Sequence, residues 1–296
     1  MTTTPIVLRT NLSDSPVTKA LKDGRVTSSL VQFDFCGPRP AHDGFKDMVR
    51  DNVYDAGELA IVTCLQARSF GKPYVLLPVP VVGRLQHERI GFNQNFGNLS
   101  PKDIEGRKVG VRTYAQTTGL WVRGVLQHDY DVDLDKVTWV TIEPPHVAEA
   151  QDPPNCERLP EEISLPEMLL KGEIAAAILG NEMPKEPYIR TLIPNPHEAA
   201  AEWHRREGII PINHMFVIHE EIAKQRPDVV REVFRMLVAA RDLASDSAKA
   251  ALPPIGLEAN RKGLEMSIRW SFEQKLISRA LAVDELFSDT TAALAA

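Results

Sequence analysis

The sequence predicts an α/β protein with largely parallel sheets, because short apolar runs typical of strands alternate with segments of helical periodicity. Three runs carry this prediction: IVLRT at 6–10, RKVGVR at 107–112 and VTWVTI at 137–142. A helix is expected between the last two, beginning at Thr117 or Thr118. Parallel strands need such crossover helices, so the alternation indicates parallel pairing.

The remaining elements follow from apolar patterning and from glycine and proline positions. The prolines of the run YVLLPVPVVG place that strand near a sheet edge or a bend. The proline-rich segment 143–166 is expected to be a long loop. Long loops inside compact domains often have a function, such as ligand binding. In chain order we expect a helix over Ala56–Phe70, a strand over 74–83, a helix and turn ending at Gly172, a strand over Ala175–Leu179, a strand over 212–221, a helix beginning near Pro227 and a largely helical C-terminal third.

Composition limits the class of protein. The 296 residues have a net charge of −6, so nothing favours a nucleic-acid or anionic-membrane partner. The three cysteines have no metal-type spacing and indicate reduced thiols. The first residues show no secretory signal, and no apolar run approaches membrane-spanning length, so a cytoplasmic protein is expected.

Two segments resemble the second lobe of the type II periplasmic-binding-protein fold. They are LSPKDIEGRKVGVRTYAQTTGLWVRGVL and EMLLKGEIAAAILG. The resemblance implies two α/β lobes with a central cleft, and crossovers near Arg84–Asn93 and Ile210–His214. Lobe I would then comprise residues 1–87 and 214–296, and lobe II residues 88–213.

Within that superfamily the chain resembles the 4,5-dihydroxyphthalate decarboxylase family. The similar segments include FKDMVRDNVYDAGELAIVTCLQARSFGKPYVLLPV, GRLQHERIGFN, VTWVTIEPPHVAE and PINHMFVI. The resemblance implies non-oxidative loss of one carboxyl group from a hydroxylated aromatic dicarboxylate. No cofactor is predicted for this reaction, no GxGxxG or P-loop motif is present, and a divalent metal is left open.

The reaction needs groups that hold carboxylates. A strand leading into a hydroxyl-rich loop at a helix start offers unpaired N–H groups to an anion. The guanidinium of arginine can donate two parallel hydrogen bonds to a carboxylate. Polar residues at strand ends and crossovers are the remaining candidates for substrate binding. The expected substrate-binding residues are Arg84, Arg112, Thr113, Gln116, Thr117, Thr118, Asn181, Asn213, Asp14 and His42.

The reaction also needs a proton donor, and histidine is the natural donor near neutral pH. His87 and His214 are the leading pair because they lie at the two expected crossovers, and His146 and Glu143 complete the catalytic candidates. Other polar and aromatic residues are expected to be structural. They are Glu58 in the first turn of a helix, Arg123 facing solvent or the other lobe, Trp121 in the core, and His128, His197, His204 and His219 at the surface.

Two other functions stay open at this point. One is a solute-binding protein for an aromatic or organic acid. The other is a different cytosolic enzyme on the same fold, such as those of the menaquinone pathway or of thiamine-pyrimidine synthesis, although the cysteine-rich C-terminus of the latter is missing. The expected partner is a small aromatic dicarboxylate, and homo-oligomerisation is left open.

Overall fold

A computed structural model of the chain describes residues 4–295. The strands are β1 Ile6–Asn11, β2 Val31–Asp34, β3 Ala56–Ala60, β4 Tyr74–Gly83, β5 Ile90–Asn93, β6 Lys108–Val111, β7 Thr138–Thr141, β8 Cys156–Arg158, β9 Ala176–Ile178, β10 Ile189–Thr191 and β11 Ile212–His219. The helices are α1 Lys19–Lys22, α2 Phe45–Asp51, α3 Ile61–Ser69, α4 Thr117–Tyr130, α5 Leu165–Lys171, α6 Pro196–Glu207, α7 Glu220–Gln225, α8 Pro227–Asp242, α9 Asp246–Ala250, α10 Leu257–Glu273 and α11 Asp289–Ala292.

The chain forms two compact units. Unit 1 contains the chain up to Arg84, the segment Ile209–Ile268 and the chain from Arg279 onward, and unit 2 contains Leu85–Gly208 and Arg269–Ser278. This division differs from the expected lobes chiefly in residues 269–278, which the sequence analysis assigned to lobe I.

Aromatic packing and buried hydrogen bonds explain why 269–278 joins unit 2. The ring of Trp270 lies edge-on to Trp121 with centroids 5.3 Å apart, and its centroid is 6.5 Å from that of Trp203. Gln274 donates to the carbonyl oxygen of Leu120 at 3.0 Å. Because these partners are buried, the segment adds a side to the core of unit 2.

Unit 1 is built on a five-stranded sheet with the order β2-β1-β3-β11-β4. Strand β1 pairs in parallel with β2 and β3, and β11 runs antiparallel to β3 and β4. β4 lies at one edge of this sheet, which confirms the position predicted from its prolines. The sheet and helix α8 share one apolar core, to which Phe216, Val229 and Val233 belong.

The helix expected over Ala56–Phe70 is wrong in its first part. Strand β3 occupies Ala56–Ala60, and helix α3 begins only at Ile61. All five β3 residues are buried between β1 and β11, and the one charged side chain among them, Glu58, has hydrogen-bonding partners there. Gly57 has φ +155°, and a Cβ there would lie 2.2 Å from the carbonyl oxygen of Asn11, so only glycine fits this close strand approach.

Unit 2 is built on a six-stranded sheet with the order β10-β5-β9-β6-β7-β8. Strands β9, β6, β7 and β8 are parallel neighbours, and helix α4 follows β6, as the alternation of elements predicted. Helix α4 begins at Thr117, which confirms the predicted start. The expected long loop after residue 143 is interrupted by the short strand β8, which the sequence analysis missed.

Within residues 4–295, none of the helices combines the length and the apolar character needed to cross a bilayer.

Candidate active site

Unit 1 brings a glutamate and a histidine from two strands and a serine from the loop after a third strand into one hydrogen-bonded cluster. Glu58 lies on β3, His214 lies on the neighbouring strand β11, and Ser13 follows the end of β1. The Oγ of Ser13 donates to Oε1 of Glu58 at 2.7 Å. The same oxygen lies 3.3 Å from Nδ1 of His214. The sheet therefore fixes a carboxylate–imidazole dyad with a serine as a second donor.

Burial differs sharply between the two members of the dyad. The side chain of Glu58 is 1% exposed, whereas that of His214 is 21% exposed. Burial alone would raise the pKa of Glu58, but the hydrogen bond and charge of His214 and the hydrogen bond from Ser13 outweigh it and lower the pKa. Since Nδ1 of His214 is engaged by the carboxylate, Nε2 is the nitrogen that can hold or deliver a proton.

Packing around the imidazole limits its orientation further. The ring of Phe45 meets that of His214 edge-on, with centroids 5.2 Å apart. Phe45 is 1% exposed, so the ring that packs against His214 belongs to the core. Its helix α2 is brought close by Asn11, which donates to the carbonyl oxygen of Ala41 at 2.8 Å.

Asp14 is exposed and forms ion pairs with Lys22 and Arg39, at 2.5 Å and 3.1 Å. The hydrogen bond from Lys22 lowers the pKa of Asp14. Its charge is therefore satisfied by one cation at the end of α1 and one in the segment between β2 and α2.

The other predicted binding residues of unit 1 are spread over separate positions. His42 lies in the turn before α2, with Nε2 3.4 Å from Oδ1 of Asp43. Asn213 is buried on β11 next to His214. Arg84 follows β4, and its backbone N–H donates to Pro211 at 3.1 Å.

Unit 2 contains the second group of polar residues, at the start of α4. We call residues 112–118 the anion loop. Gln116 is the N-cap residue of α4, and Thr117 and Thr118 form its first turn, where both are 4% exposed. Thr113 is 1% exposed, and its hydroxyl oxygen has no hydrogen-bond partner within the described chain. A helix N-terminus with an unsatisfied hydroxyl beside it can bind an anion.

The end of the neighbouring strand β7 adds to this group. The backbone N–H groups of Ile142 and Glu143 donate to the carbonyl oxygen of Arg112, at 3.0 Å and 2.8 Å. The side chains of Arg112 and Glu143 form a loose ion pair, with Nε and Oε1 3.7 Å apart. Thr141 is fully buried, and its hydroxyl, like that of Thr113, has no partner among the described residues. Two adjacent strand ends therefore present hydrogen-bonding groups that the fold itself does not satisfy.

His87 lies in unit 2 in a setting that does not suit a proton donor. It is 3% exposed, and its ring lies edge-on to Trp203 with centroids 6.0 Å apart. Burial lowers the pKa of His87 to about 4, so the ring is neutral near pH 7. His214 is therefore the acid in the function proposed below, and a catalytic role of His87 stays a prediction.

Two further predicted residues of unit 2 lie outside the anion loop. His146 is half-buried in the loop after β7. Asn181 is exposed in the turn after β9 and accepts a hydrogen bond from Arg89 at 3.1 Å. Side chains of His, Cys, Asp and Glu do not gather in groups of three or more suited to a metal ion anywhere in the described part of the chain.

Two expectations about structural residues are wrong, and both concern charged side chains in the core. Glu58 was expected in a helical first turn, and it lies at the centre of a sheet because β3 replaces that turn. Arg123 was expected to face solvent or the other lobe, and it is fully buried within unit 2, where Tyr114 and Gln274 accept its hydrogen bonds. The expectation that Trp121 is a core residue is confirmed.

The fold belongs to the type II periplasmic-binding-protein class. The alkanesulfonate-binding protein SsuA of Xanthomonas axonopodis pv. citri, solved with bound MOPS, superposes with a TM-score of 0.59 at 13% identity, covering 97% of this chain and 99% of that one. SsuA of Escherichia coli gives 0.59 at 12% identity, with 96% and 92% coverage. The desulfurization enzyme DszB gives 0.53 at 14% identity, with 96% and 97% coverage.

By sequence, the chain is similar to two proteins named 4,5-dihydroxyphthalate decarboxylase, which confirms the predicted resemblance. The one from Comamonas testosteroni is 30% identical over 193 residues, which are 59% of this chain and 56% of that protein. The one from Pseudomonas putida is 28% identical over 200 residues, or 63% of this chain and 77% of that protein. The match thus spans little more than half the length of the first relative. No protein-family model matches the chain.

The lowered pKa of Glu58 predicts a specific pH dependence of stability. A carboxylate whose folded-state pKa is depressed stabilises the fold fully above its ordinary pKa of about 4.3, and this contribution is lost as the pH falls through the folded-state value. We expect Glu58→Gln to lower the free energy of unfolding at pH 7 and to flatten its decline between pH 7 and pH 3.5. Urea unfolding at both pH values measures this. The exposed Glu167→Gln is the control, and equal declines in native protein and Glu58→Gln would contradict the prediction.

The unsatisfied hydroxyl of Thr113 predicts a stabilising substitution. Thr113→Val removes a buried oxygen without a partner and keeps the shape of the side chain, so the free energy of unfolding should rise by about 1 kcal/mol. The matched control is Thr10→Val, since Thr10 is also fully buried but donates to Leu8 at 2.7 Å. Thr10→Val should lower the free energy of unfolding. A destabilised Thr113→Val would mean that the hydroxyl is satisfied in solution.

Proposed function

We propose that this protein is a decarboxylase of a hydroxylated aromatic dicarboxylate of the 4,5-dihydroxyphthalate type. The observation that carries the proposal is the Glu58–His214 dyad with Ser13, because a buried carboxylate that orients a partly exposed imidazole is an arrangement suited to proton transfer. The two relatives named 4,5-dihydroxyphthalate decarboxylase support the choice of reaction and substrate.

The proposed reaction needs one proton and releases one CO₂. A ring hydroxyl para to the departing carboxylate raises the electron density at the carbon that carries this carboxylate. In the proposal, Nε2 of His214 gives its proton to that carbon. The bond from the carbon to the carboxylate then breaks, its electron pair returns to the ring, and CO₂ leaves as aromaticity is restored. Ionised Glu58 stabilises the imidazolium before transfer, and a proton from water restores it afterwards.

The anion loop is the proposed holder of a substrate carboxylate. The proposed donors are the first-turn N–H groups of α4 and the hydroxyls of Thr113, Thr117 and Thr118. The guanidinium of Arg112 adds a positive charge and paired N–H groups that match a carboxylate. Such groups lower KM when they bind substrate and transition state equally. The other expected contacts stay predictions, namely Glu143 and His146 as catalytic groups, and Arg84, Gln116, Asn181, Asn213, Asp14 and His42 as binding groups.

A cytoplasmic location is part of the same proposal. The three cysteines, Cys36, Cys64 and Cys156, are all free thiols in the structure. Free thiols are usual where the surroundings are reducing.

The test is to incubate the purified protein with 4,5-dihydroxyphthalate and to follow the release of CO₂ and the decarboxylated product. We expect His214→Gln to lower kcat by at least ~100-fold, with KM within about threefold, because it removes proton transfer and leaves the anion loop unchanged. Thr113→Val should raise KM and leave kcat close to native.

The matched control is His197→Gln, since His197 is 87% exposed and lies outside both groups of residues. Near-native turnover by His214→Gln would contradict its role as acid. Tight binding of aromatic acids by the native protein without CO₂ release would replace the proposal by the alternative of a solute-binding protein.

A further inference from the structure

Arg123 is a fully buried cation in unit 2, and none of the residues 4–295 gives it a carboxylate partner. Its Nη2 donates to the carbonyl oxygen of Tyr114 at 2.7 Å, and its Nε donates to Oε1 of Gln274 at 2.9 Å. The guanidinium carbon lies 3.8 Å from the centroid of the Tyr114 ring and 5.3 Å from that of Trp139. All of these partners are neutral. They stabilise the guanidinium through hydrogen bonds and cation–π contacts, but they carry no negative charge to offset its positive charge.

The one terminal nitrogen without a partner lies beside the first turn of α4. Nη1 of Arg123 has no hydrogen-bond acceptor within the described residues. A Cβ added to Gly119 would lie 2.8 Å from Nη1, so the guanidinium occupies the space that a side chain at 119 would take. Asp152 acts on Arg123 only over a longer range and is itself bound by Arg158. An unpaired buried charge is costly, and a fold that keeps one at a helix N-terminus is suited to an anion that arrives from outside.

We infer that Arg123 is a positioning residue for the anion loop and that its charge is neutralised by the substrate carboxylate that this loop binds. The inference rests on the proposed function, because it takes the bound anion to be a carboxylate of an aromatic diacid. The hydrogen bond to Tyr114 holds the middle of the loop, since Tyr114 lies between Thr113 and the N-cap residue Gln116. The buried charge and the helix dipole then act together on the same ligand.

Gln274 is important to this arrangement because it is neutral. A glutamate in its place would give Arg123 a permanent counter-ion, and the anion loop would lose the charge that attracts the ligand. The chain instead has an amide, which accepts from Arg123 through Oε1 and donates to Leu120 through Nε2 at 3.0 Å. The charge of Arg123 can therefore be cancelled by substituting its neighbour, with Arg123 itself retained.

The experiment compares Gln274→Glu with Gln274→Met in the full-length protein, with phthalate as the probe and calorimetric titration as the readout. Both substitutions remove the donor to Leu120, and only the glutamate adds a negative charge next to Arg123. We expect Gln274→Glu to bind phthalate at least tenfold more weakly than Gln274→Met, a difference of ~1.4 kcal/mol or more. Thermal melting of both variants reports whether the fold is kept.

Substitution of Arg123 itself provides a second, independent comparison. Arg123→Met should weaken phthalate binding at least tenfold, and Arg123→Lys should recover part of the loss because it keeps the charge. The control Arg205→Met removes an exposed arginine of unit 2 and should bind phthalate as the native protein does.

The possible outcomes separate this inference from the proposed function. The role of the Arg123 charge would be overturned if Gln274→Glu bound phthalate as tightly as Gln274→Met, or more tightly. It would also be overturned if the native protein did not bind phthalate. Binding that follows the expected order without CO₂ release from 4,5-dihydroxyphthalate would support the role of Arg123 and overturn only the decarboxylase function.

Discussion

The buried carboxylate of Glu58 constrains the arrangement of three segments of unit 1. An ionised side chain that is 1% exposed in the middle of a sheet is unstable unless donors surround it, and Ser13 and His214 supply them. These donors come from the end of β1 and from β11, so satisfying one charge fixes the relation of three strands. The same hydrogen bonds determine which imidazole nitrogen is available for proton transfer.

A complementary constraint applies to unit 2. There the buried charge is positive, and its partners Tyr114 and Gln274 are neutral. The unsatisfied hydroxyls of Thr113 and Thr141 follow or end the neighbouring strands β6 and β7, and Thr113 also lies four residues before the start of α4. Unit 1 therefore satisfies its buried charge internally, whereas unit 2 has donors and a charge that its own residues do not satisfy. This contrast is the physical basis for assigning proton transfer to His214 and carboxylate binding to the anion loop.

The sequence was sufficient to predict the fold class, the start of α4 and the edge position of β4, because these depend on local signals such as apolar runs, hydroxyl-rich caps and prolines. It was not sufficient for Glu58 or Arg123. AGELAIVTCLQ contains a strand directly followed by a helix without a polar break, so the pattern alone favoured one longer helix. Arg123 lies on a helix that is buried on all sides over its first turns, and burial of this kind depends on segment 269–278, far along the chain.

The hydrogen bond between Nδ1 of His214 and Glu58 is the central claim, and nitrogen NMR of histidine-labelled protein tests it most directly. In the neutral imidazole of His214, the proton should reside on Nδ1, with Nε2 unprotonated, because the buried carboxylate of Glu58 needs a donor. Glu58→Gln should abolish this preference. A native His214 whose neutral ring carries its proton on Nε2 would contradict the account, since Glu58 would then face an acceptor.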